Sequence, residues 1–229
     1  MTAASTRAKP LALITGAARA NSIAAGIVPR LVAEGWDVVT SDLQGADYGC
    51  DLSTRTGPAE LVDAVIRDHG AISALILSHA HGVESGILDT TAESFDMHVA
   101  VNARASLLLI AEFARRVPES GGAIVALTSD HTTGNLPYGA SKGALDRIVI
   151  SAARELGPLG ISANVLNPGP IDTGWMDEGV RTALAAQQPG GRLGLPTDIA
   201  DVVAFLVSPQ GRWISGQLLH ADGAFSARY

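Results

Sequence analysis

The chain has 229 residues, a formal net charge of −7, 47% hydrophobic residues and 17% charged residues. This composition allows a sizeable buried core and excludes a largely disordered chain. The acidic balance argues against a general binder of nucleic acid or of anionic membranes, although backbone N–H groups can still form a local phosphate site.

Cysteine use and hydropathy indicate a reducing, aqueous compartment. Cys50 is the only cysteine, so a disulfide within the chain is excluded. The polar start, residues 1–10, lacks the architecture of a signal peptide and is expected to be a flexible tail. No apolar run approaches the ~18 residues that a membrane span needs. We therefore expect a cytoplasmic protein without a membrane or nucleic-acid partner.

The first strand and the turn after it predict a dinucleotide site. Leu11 to Thr15 is a continuous apolar run, typical of a strand buried on both faces of a parallel sheet. Small residues follow from Gly16 to Ala24, and Ser22 is placed to cap the next helix. N–H groups at such a helix start bind a pyrophosphate. The alternative is an ordinary strand–turn–helix unit.

The second strand, Trp36 to Ser41, ends at Asp42. A carboxylate at this point accepts hydrogen bonds from the adenosine ribose hydroxyls and repels a 2′-phosphate. No Lys or Arg directly follows Asp42, which favours NAD(H) over NADP(H). Arg19 in the first turn is the contrary signal, because its guanidinium can reach a 2′-phosphate, so NADP(H) stays open. Asp42 can also be an ordinary turn aspartate.

Two further strands follow. Tyr48 to Leu52 is expected to be the third, with Asp51-Leu52 at its end placed to contact an adenine. Ile72 to Leu77 is expected to be the fourth. His79 and His81 come after it, but two histidines on a loop without a third ligand nearby make a poor metal site. We predict no metal.

The stretch Tyr138-Gly139-Ala140-Ser141-Lys142 carries the strongest chemical signal. Residues four apart on a helix share a face, so the hydroxyl and the ammonium can share one small volume. A phenol titrates near ~10, and a nearby cation stabilises the phenolate and lowers that pKa. Such a tyrosine exchanges protons near neutral pH. A lone pair of this kind is weak evidence, because most arise by chance on solvated helix faces.

Two further polar candidates, Asn102 and Ser129, precede that stretch in the chain. Asn102 belongs to a helical segment from Thr91 to Val117, and Ser129 ends the fifth strand, 122–128. Ligands bind beyond the carboxyl ends of strands in open α/β sheets, so Ser129 is placed to meet a substrate.

The C-terminal part completes the alternation of strands and helices. Residues 174–191 are expected to be irregular and to form a mobile lid. A last helix, 196–206, is expected to be capped by Thr197 and to precede a last strand, 216–221. The alternation predicts a single domain, residues 1–229, with a doubly wound, Rossmann-like parallel sheet of about seven strands.

In their order and spacing these residues resemble the short-chain dehydrogenase/reductase family, of the single-domain ketoreductase and alcohol dehydrogenase type. The resemblance runs from about Leu11 to Phe225. Its motifs are Thr15-Gly16, Asp51-Leu52, Val101-Asn102, Thr128-Ser129, Tyr138-x-x-x-Lys142, Pro168-Gly169-x-x-x-Thr173, Gly191-Arg192-Leu193-Gly194, Ser215-Gly216-Gln217 and Asp222-Gly223.

The resemblance implies a role for each catalytic candidate. Tyr138 is the general acid/base at the substrate oxygen, and Lys142 lowers its pKa and holds the nicotinamide ribose. Ser129 donates a hydrogen bond to the substrate oxygen. Asn102 orients a water that relays protons to Lys142. The residues expected to contact the cofactor, besides Tyr138 and Lys142, are Gly16, Arg19, Ala20, Ser22, Ile23, Asp42, Asp51, Leu52, Ser78, Ala80, Pro168, Gly169, Ile171 and Thr173.

Three departures from the family pattern stand out. Ala20 and Ser22 replace the later glycines of the turn, which makes it similar to the turn of enoyl-thioester reductases. Those enzymes space Tyr and Lys by seven, and here Asn135 occupies that position. Ser78-His79-Ala80-His81 replaces the usual Asn-Asn-Ala-Gly. The interval from Ser129 to Tyr138 is shorter than usual, and the alternatives to Ser129 are Thr128, Thr132 and Thr133.

The leading hypothesis is an NAD(H)-linked oxidoreductase that interconverts a secondary alcohol and a ketone. The alternatives are an enoyl-thioester reductase and a catalytically silent dinucleotide-binding sensor or scaffold. A sugar-nucleotide epimerase is disfavoured, because the chain lacks length for a separate sugar-binding region. Substrate-pocket residues are expected in the loops 81–84, 130–136 and 175–180.

The resemblance also implies a homotetramer or homodimer. One interface is expected on the Tyr138 helix and the helix before it, and another on the last helix and strand. Trp213, Ile214, Leu218 and Leu219 fit a buried surface at the second interface. Their alternative is the core of the same chain.

Overall fold

Within residues 9–131, 133–174 and 176–227, which the computed structural model describes, the strands lie in one parallel sheet. They are β1 (Leu11–Thr15), β2 (Asp37–Asp42), β3 (Tyr48–Gly49), β4 (Ile72–Leu77), β5 (Gly122–Leu127), β6 (Ile161–Asn167) and β7 (Leu218–His220). Their order across the sheet is β3-β2-β1-β4-β5-β6-β7, so the direction of winding reverses between β1 and β4. The predicted doubly wound fold is therefore confirmed, and its switch point marks the place where ligands bind.

Helices cover both faces of the sheet. They are α1 (Ile23–Ala33), α2 (Gly57–His69), α3 (Ala92–His98), α4 (Ala105–Arg115), α5 (Leu136–Glu155), α6 (Glu178–Gln187) and α7 (Pro196–Val207). Alternate strand residues point to opposite faces, so Leu13 joins the core beneath α2, α4 and α5, and Ile14 joins the core beneath α1 and α7. This two-sided burial explains why the central strands β1, β4 and β5 are largely apolar runs.

The third strand is shorter than the sequence predicted. It ends at Gly49, because the chain turns at Asp51, whose Oδ1 accepts a hydrogen bond of 2.8 Å from the N–H of Ser53. Leu52 is 6% exposed and packs in the core. Any contact of Leu52 with an adenine must therefore involve its backbone, and the contact of Asp51-Leu52 with an adenine stays a prediction.

The predicted lid contains a helix that the sequence analysis missed. Helix α6 begins after Asp177, whose Oδ1 accepts a hydrogen bond of 2.8 Å from the N–H of Val180. This N-cap and the alanine- and leucine-rich run that follows it account for the helix. No side chain of α6 is buried, so the helix lies on the surface of the fold. Trp175, named in the predicted pocket, is outside the described residues.

The last helix begins at Pro196, and the predicted cap at Thr197 is wrong. Leu195 is the N-cap residue, and its N–H donates a hydrogen bond of 2.8 Å to the Asp198 carboxylate. Proline is favoured at the first helical position, where its missing N–H would be unpaired in any case.

A π-helix, Val99–Arg104, joins α3 to α4. The whole stretch Ala92–Arg115 is long and apolar enough to cross a membrane, but 56% of its most apolar window is buried inside the fold. Buried windows of this kind are typical of core helices. Leu107 lies on the outer side of α4 and is 49% exposed, whereas Leu109 and Ile110 are buried.

Candidate active site

Tyr138 and Lys142 lie together in the first two turns of α5, at the carboxyl end of β5. The Lys142 Nζ lies 5.6 Å from the centroid of the Tyr138 ring and donates a hydrogen bond of 2.8 Å to the carbonyl oxygen of Leu127. Lys142 is 2% exposed, so its ammonium is held inside the fold. The predicted arrangement of the pair on one helix face is therefore present.

Asn102 connects this helix to the loop after β4. Its Oδ1 accepts a hydrogen bond of 2.7 Å from the His81 N–H, and its Nδ2 donates to the His81 carbonyl and to the Ser141 Oγ. Ser141 in turn donates a hydrogen bond of 2.7 Å to the Tyr138 carbonyl. Asn102 lies in the π-helix, a geometry that is frequent at functional sites. Its observed role is to fix the loop against α5, and the predicted water relay stays a prediction.

Burial shifts the pKa values of the pair in opposite directions. It lowers the pKa of Lys142 to about 8, against an opposing attraction from Asp146. It raises the pKa of Tyr138 to about 12. The expected lowering of the Tyr138 pKa by Lys142 is therefore not found in the protein alone. Loss of hydration disfavours the Tyr138 phenolate. The Lys142 ammonium is directed at the Leu127 carbonyl, and its stabilisation of the phenolate is smaller than this loss.

Ser129 lies two residues after the end of β5, in the loop that leads to α5. Its Oγ accepts a hydrogen bond of 3.1 Å from the N–H of His131, which leaves its own hydrogen available to a substrate oxygen. Thr128 is buried, and Thr133 is exposed to solvent. Thr132 is outside the described residues. Ser129 thus remains the candidate donor.

The predicted pocket loop 81–84 lies against the Tyr138 ring. A Cβ added at Gly82 would be 3.6 Å from Tyr138 Cδ2, so the ring packs on this backbone. His98 holds the loop from the other side, because its Nε2 accepts a hydrogen bond of 3.0 Å from the Val83 N–H. His81 is half-buried and lies 4.5 Å from the His98 ring, measured between centroids.

The turn after β1 brings the predicted cofactor residues together. Gly16 has φ +73°, and a Cβ there would lie 2.6 Å from the Cα of His79, so only glycine fits. Ser22 caps α1 and accepts a hydrogen bond of 3.1 Å from the Ala25 N–H, as predicted. Ala20 and Ile23 lie on either side of this cap.

Asp42 meets the same turn from the end of β2. Its carboxylate accepts hydrogen bonds of 2.9 Å from the Ala18 N–H and 2.8 Å from the Leu43 N–H. A carboxylate has about four acceptor sites, so two remain for ribose hydroxyls. Arg19 donates a hydrogen bond of 3.0 Å to the Thr173 carbonyl, which ties the turn to the segment after β6.

The remaining predicted contacts lie beyond β4 and β6. The Ser78 N–H donates to Thr15 Oγ1, and Ala80 is exposed beside it. Gly169 has φ +64°, and a Cβ there would lie 2.5 Å from the Cβ of Asp222. The other members of this group are Pro168, Ile171 and Thr173, of which Ile171 is 5% exposed and pairs with Gly194.

A large groove of about 1830 Å³ lies at the amino ends of the strands, opposite the carboxyl ends where Tyr138 lies. Leu11, Trp36, Asp37 and Arg212 are among the residues that line it, and no predicted site residue is among them. Ligands of α/β sheets bind at the carboxyl ends of the strands. We therefore place the site at Tyr138 and not in this groove.

Comparison with known proteins identifies the family. A protein-family model described as enoyl-(acyl carrier protein) reductase, adh_short_C2, matches residues 16–226. The chain is 35% identical to the uncharacterized oxidoreductase YjdA of Bacillus subtilis (strain 168), over 94% of this chain and 96% of the relative. It is 30% identical to a short-chain dehydrogenase/reductase of Armillaria gallica, ARMGADRAFT_1018421, over 93% and 94%. The chain belongs to the short-chain dehydrogenase/reductase family.

A solved structure of this short-chain dehydrogenase/reductase fold supports nicotinamide dinucleotide binding. The blue fluorescent protein from a metagenomic library, in complex with NADPH, superposes with a TM-score of 0.87 and 28% identity, over 95% of this chain and 98% of that chain. The predicted family and fold are thus confirmed, and the protein is an oxidoreductase of this family.

His79 is the residue of this short-chain dehydrogenase/reductase whose role the sequence analysis missed. Its Nδ1 lies 2.7 Å from Thr15 Oγ1 and its Nε2 lies 3.1 Å from the Val101 carbonyl. A carbonyl only accepts, so Nε2 carries the proton and Nδ1 accepts from Thr15. Burial, and secondarily the charge of Lys142, lower the pKa of His79 to about 3. The neutral ring therefore links β1 to the π-helix.

Proposed function

We propose that this protein is an NAD(H)-dependent oxidoreductase that interconverts a secondary alcohol and a ketone. The observation that carries the proposal is the buried Lys142 ammonium beside Tyr138, at the carboxyl end of the central strands. A buried charge is costly unless it is paired and hydrogen-bonded, so a buried ammonium at this position points to a functional role. Ser129, at the end of β5, adds a hydroxyl that can meet the substrate oxygen.

The chain's own residues fit a nicotinamide dinucleotide. The close approach of Gly16 to the His79 backbone leaves a turn without side-chain bulk, at the start of α1, where a pyrophosphate is favoured. Asp42 has acceptor capacity left for a ribose, and we propose that Thr173, tied to the turn through Arg19, holds the carboxamide. When bound, the cofactor supplies the hydride.

The protonation states suit carbonyl reduction. With a pKa of about 12, Tyr138 is a phenol at neutral pH and can donate its proton to a developing alkoxide. With a pKa of about 8, Lys142 is an ammonium, and its charge stabilises the phenolate left behind. Ser129 donates a hydrogen bond to the same oxygen as its charge grows.

Cofactor choice is the first experiment. NADH and NADPH are titrated separately into the purified protein, and the fluorescence of the bound cofactor is followed. Tighter binding of NADH is expected, and a panel of ketones and alcohols is then screened with NAD(H). Tighter binding of NADPH would contradict the NAD(H) preference. Binding of neither would contradict the oxidoreductase proposal.

Asp42→Ala is expected to reverse this preference. Hydrogen bonds to a charged group contribute about 1.5–3 kcal/mol, so loss of the ribose contacts should weaken NADH binding by about tenfold to a hundredfold. NADPH binding should improve, because the 2′-phosphate no longer meets a carboxylate. The matched control is Asp37→Ala, at the other end of β2, where the carboxylate pairs with Lys9 on the surface. An unchanged ratio of the two affinities would assign selection to other residues.

Enoyl-thioester reduction is the second candidate, favoured by the Ser22-Ile23-Ala24 turn and by the description of the matching family model. The residue seven positions before Lys142 is Asn135, which is 8% exposed and has no ionisable group. We therefore expect a crotonyl thioester and NADH to give no loss of cofactor absorbance. Turnover of this thioester but of no ketone would reverse the order of the two proposals.

A catalytically silent dinucleotide-binding protein is the third candidate. It is opposed by the joint presence of Asn102, Ser129, Tyr138 and Lys142, because binding alone requires no such set. Turnover of any alcohol or ketone in the screen removes this candidate.

We also propose that the protein assembles with copies of itself through its C-terminal part. Trp213 is 99% exposed and Phe205 46% exposed, and Leu218 is also exposed, although all three side chains are apolar. Ile214 and Leu219 pack against the core of the same chain, so the predicted set divides between core and surface. An apolar surface of this kind is typical of an interface.

Trp213→Glu is expected to lower the sedimenting mass of this assembly. A carboxylate at the centre of an apolar contact must lose its hydration there, which disfavours association. Leu88→Glu is the matched control, since Leu88 is 92% exposed in the loop before α3. Sedimentation equilibrium that shows a monomer for the wild type would contradict the proposed assembly.

A further inference from the structure

The carboxylate of Asp146 lies one helical turn beyond Lys142. Asp146 is four residues after Lys142 and eight after Tyr138, so the three side chains follow one face of α5. The Asp146 Oδ1 is buried and makes no hydrogen bond within the described part of the chain. A buried carboxylate oxygen without such a bond is costly unless a charge compensates for it.

The groups that face Asp146 come from three elements. Lys142 and Arg147 lie on its own helix, Thr128 at the end of β5, and His220 at the end of β7. The buried Thr128 hydroxyl is uncharged, and as a hydrogen-bond partner it also favours the charged form of Asp146. Arg147 and His220 are exposed and therefore screened by solvent, whereas Lys142 is 2% exposed. Lys142 is thus the least screened positive charge that Asp146 meets.

The same pairing is seen from the side of Lys142. Its ammonium is faced by Tyr138 and by the neutral ring of His79, neither of which carries a compensating charge at neutral pH. Burial lowers the pKa of Lys142, and the charge of Asp146 opposes that shift. Burial raises the pKa of Asp146, and the Thr128 hydroxyl and, after it, the charge of Lys142 oppose that shift. Each group favours the charged form of the other.

We propose that Asp146 is a positioning residue that keeps Lys142 charged inside the buried site, through the face of α5 that they share. This role rests on the proposed oxidoreductase function, in which Lys142 acts as an ammonium. Asp146 acts through Lys142 and contacts neither substrate nor reacting atoms.

The first test is the pH profile of kcat/KM for wild type and Asp146→Asn, with NADH and a ketone found in the screen. Loss of the Lys142 proton sets the alkaline limb, which in the wild type is expected near the Lys142 pKa of about 8. In Asp146→Asn this limb should move to lower pH by about one unit, so that activity above the limb falls about tenfold. Asp146→Glu should bring the limb part of the way back to its wild-type pH, because this variant keeps the negative charge.

Glu155→Gln is the control for removal of a carboxylate from the same helix. Glu155 lies at the end of α5, where its carboxylate accepts a hydrogen bond of 2.6 Å from Ser151 on the surface. The alkaline limb of the Glu155→Gln variant should coincide with that of the wild type. If the limb of Asp146→Asn also coincides with it, the proposal is wrong.

A second test is independent of turnover. The unfolding equilibrium of wild type, Lys142→Met, Asp146→Asn and the double variant is measured in urea at pH 7. If Lys142 and Asp146 are coupled, the change in the unfolding equilibrium constant of the double variant differs from the product of the changes in the two single variants. We expect this difference to be about tenfold. No departure would overturn the proposal. If no substrate is turned over, the proposed function fails and this cycle alone decides the role of Asp146.

Discussion

Tyr138→Phe is expected to lower the turnover of the ketone or alcohol substrate by about 10²- to 10⁴-fold, the usual contribution of a positioned general acid. The substitution removes the hydroxyl and keeps the ring. The ring packs on the backbone of Gly82, so the fold should be unchanged. The loss should therefore fall on kcat, which is measured at saturating cofactor.

The matched control for this substitution is Tyr48→Phe. The Tyr48 hydroxyl donates a hydrogen bond of 2.7 Å to Asp68 on the surface of the fold, away from the carboxyl ends of β4 and β5. Its removal should leave kcat unchanged. Full turnover by Tyr138→Phe would show that another group moves the proton, and the role assigned to the pair with Lys142 would fail with it.

Acidification below pH 6.5 is expected to destabilise the protein through His79. Its pKa is 6.5 in its ordinary state and about 3 when folded, so between these values the unfolded chain binds a proton that the folded chain does not. The free energy of unfolding then falls as the pH falls, by up to about 1.4 kcal/mol per pH unit. The stabilisation is fully present above pH 6.5.

His79→Asn separates this effect from other acid-sensitive groups. At pH 7 the variant should be less stable by about 1–3 kcal/mol, because the buried hydrogen bonds to Thr15 and Val101 are disturbed. Between pH 6.5 and 5, where carboxylates titrate little, its stability should depend less on pH than that of the wild type. Urea unfolding at a series of pH values measures both effects. His69→Asn, a change at the exposed end of α2, is the control. An unchanged slope in His79→Asn would contradict the buried neutral ring.

The sequence predicted those parts of the site that depend on local periodicity. The bounds of β1 and β4 match the apolar runs, because both strands are buried on both faces. Tyr138 and Lys142 share a helix face because they are four residues apart. Asn102 follows from neither rule, since its partners His81 and Ser141 lie 21 and 39 residues away, and only the resemblance to a family indicated it.

The rest required the packing of the chain. The pKa of Tyr138 shifts upward because the surroundings of its hydroxyl exclude water, and no sequence interval contains that information. The sequence analysis weighed His79 only as a metal ligand beside His81. Its actual role stayed hidden because its partner Thr15 is 64 residues away. Helix α6 was missed because Gly174 at one end of 174–191 and Pro189-Gly190-Gly191 at the other suggested an irregular segment throughout.

The exposed position of α6 has an evolutionary consequence. None of its side chains is buried, and substitutions at such positions usually change the free energy of unfolding by less than about 0.5 kcal/mol. Most of Glu178–Gln187 can therefore be rewritten by mutation without endangering the sheet and its two cores. If this segment forms the lid predicted from the sequence for residues 174–191, the protein can explore new substrates through changes that leave its folding intact. Selection on specificity and selection on stability then act on separate parts of the chain.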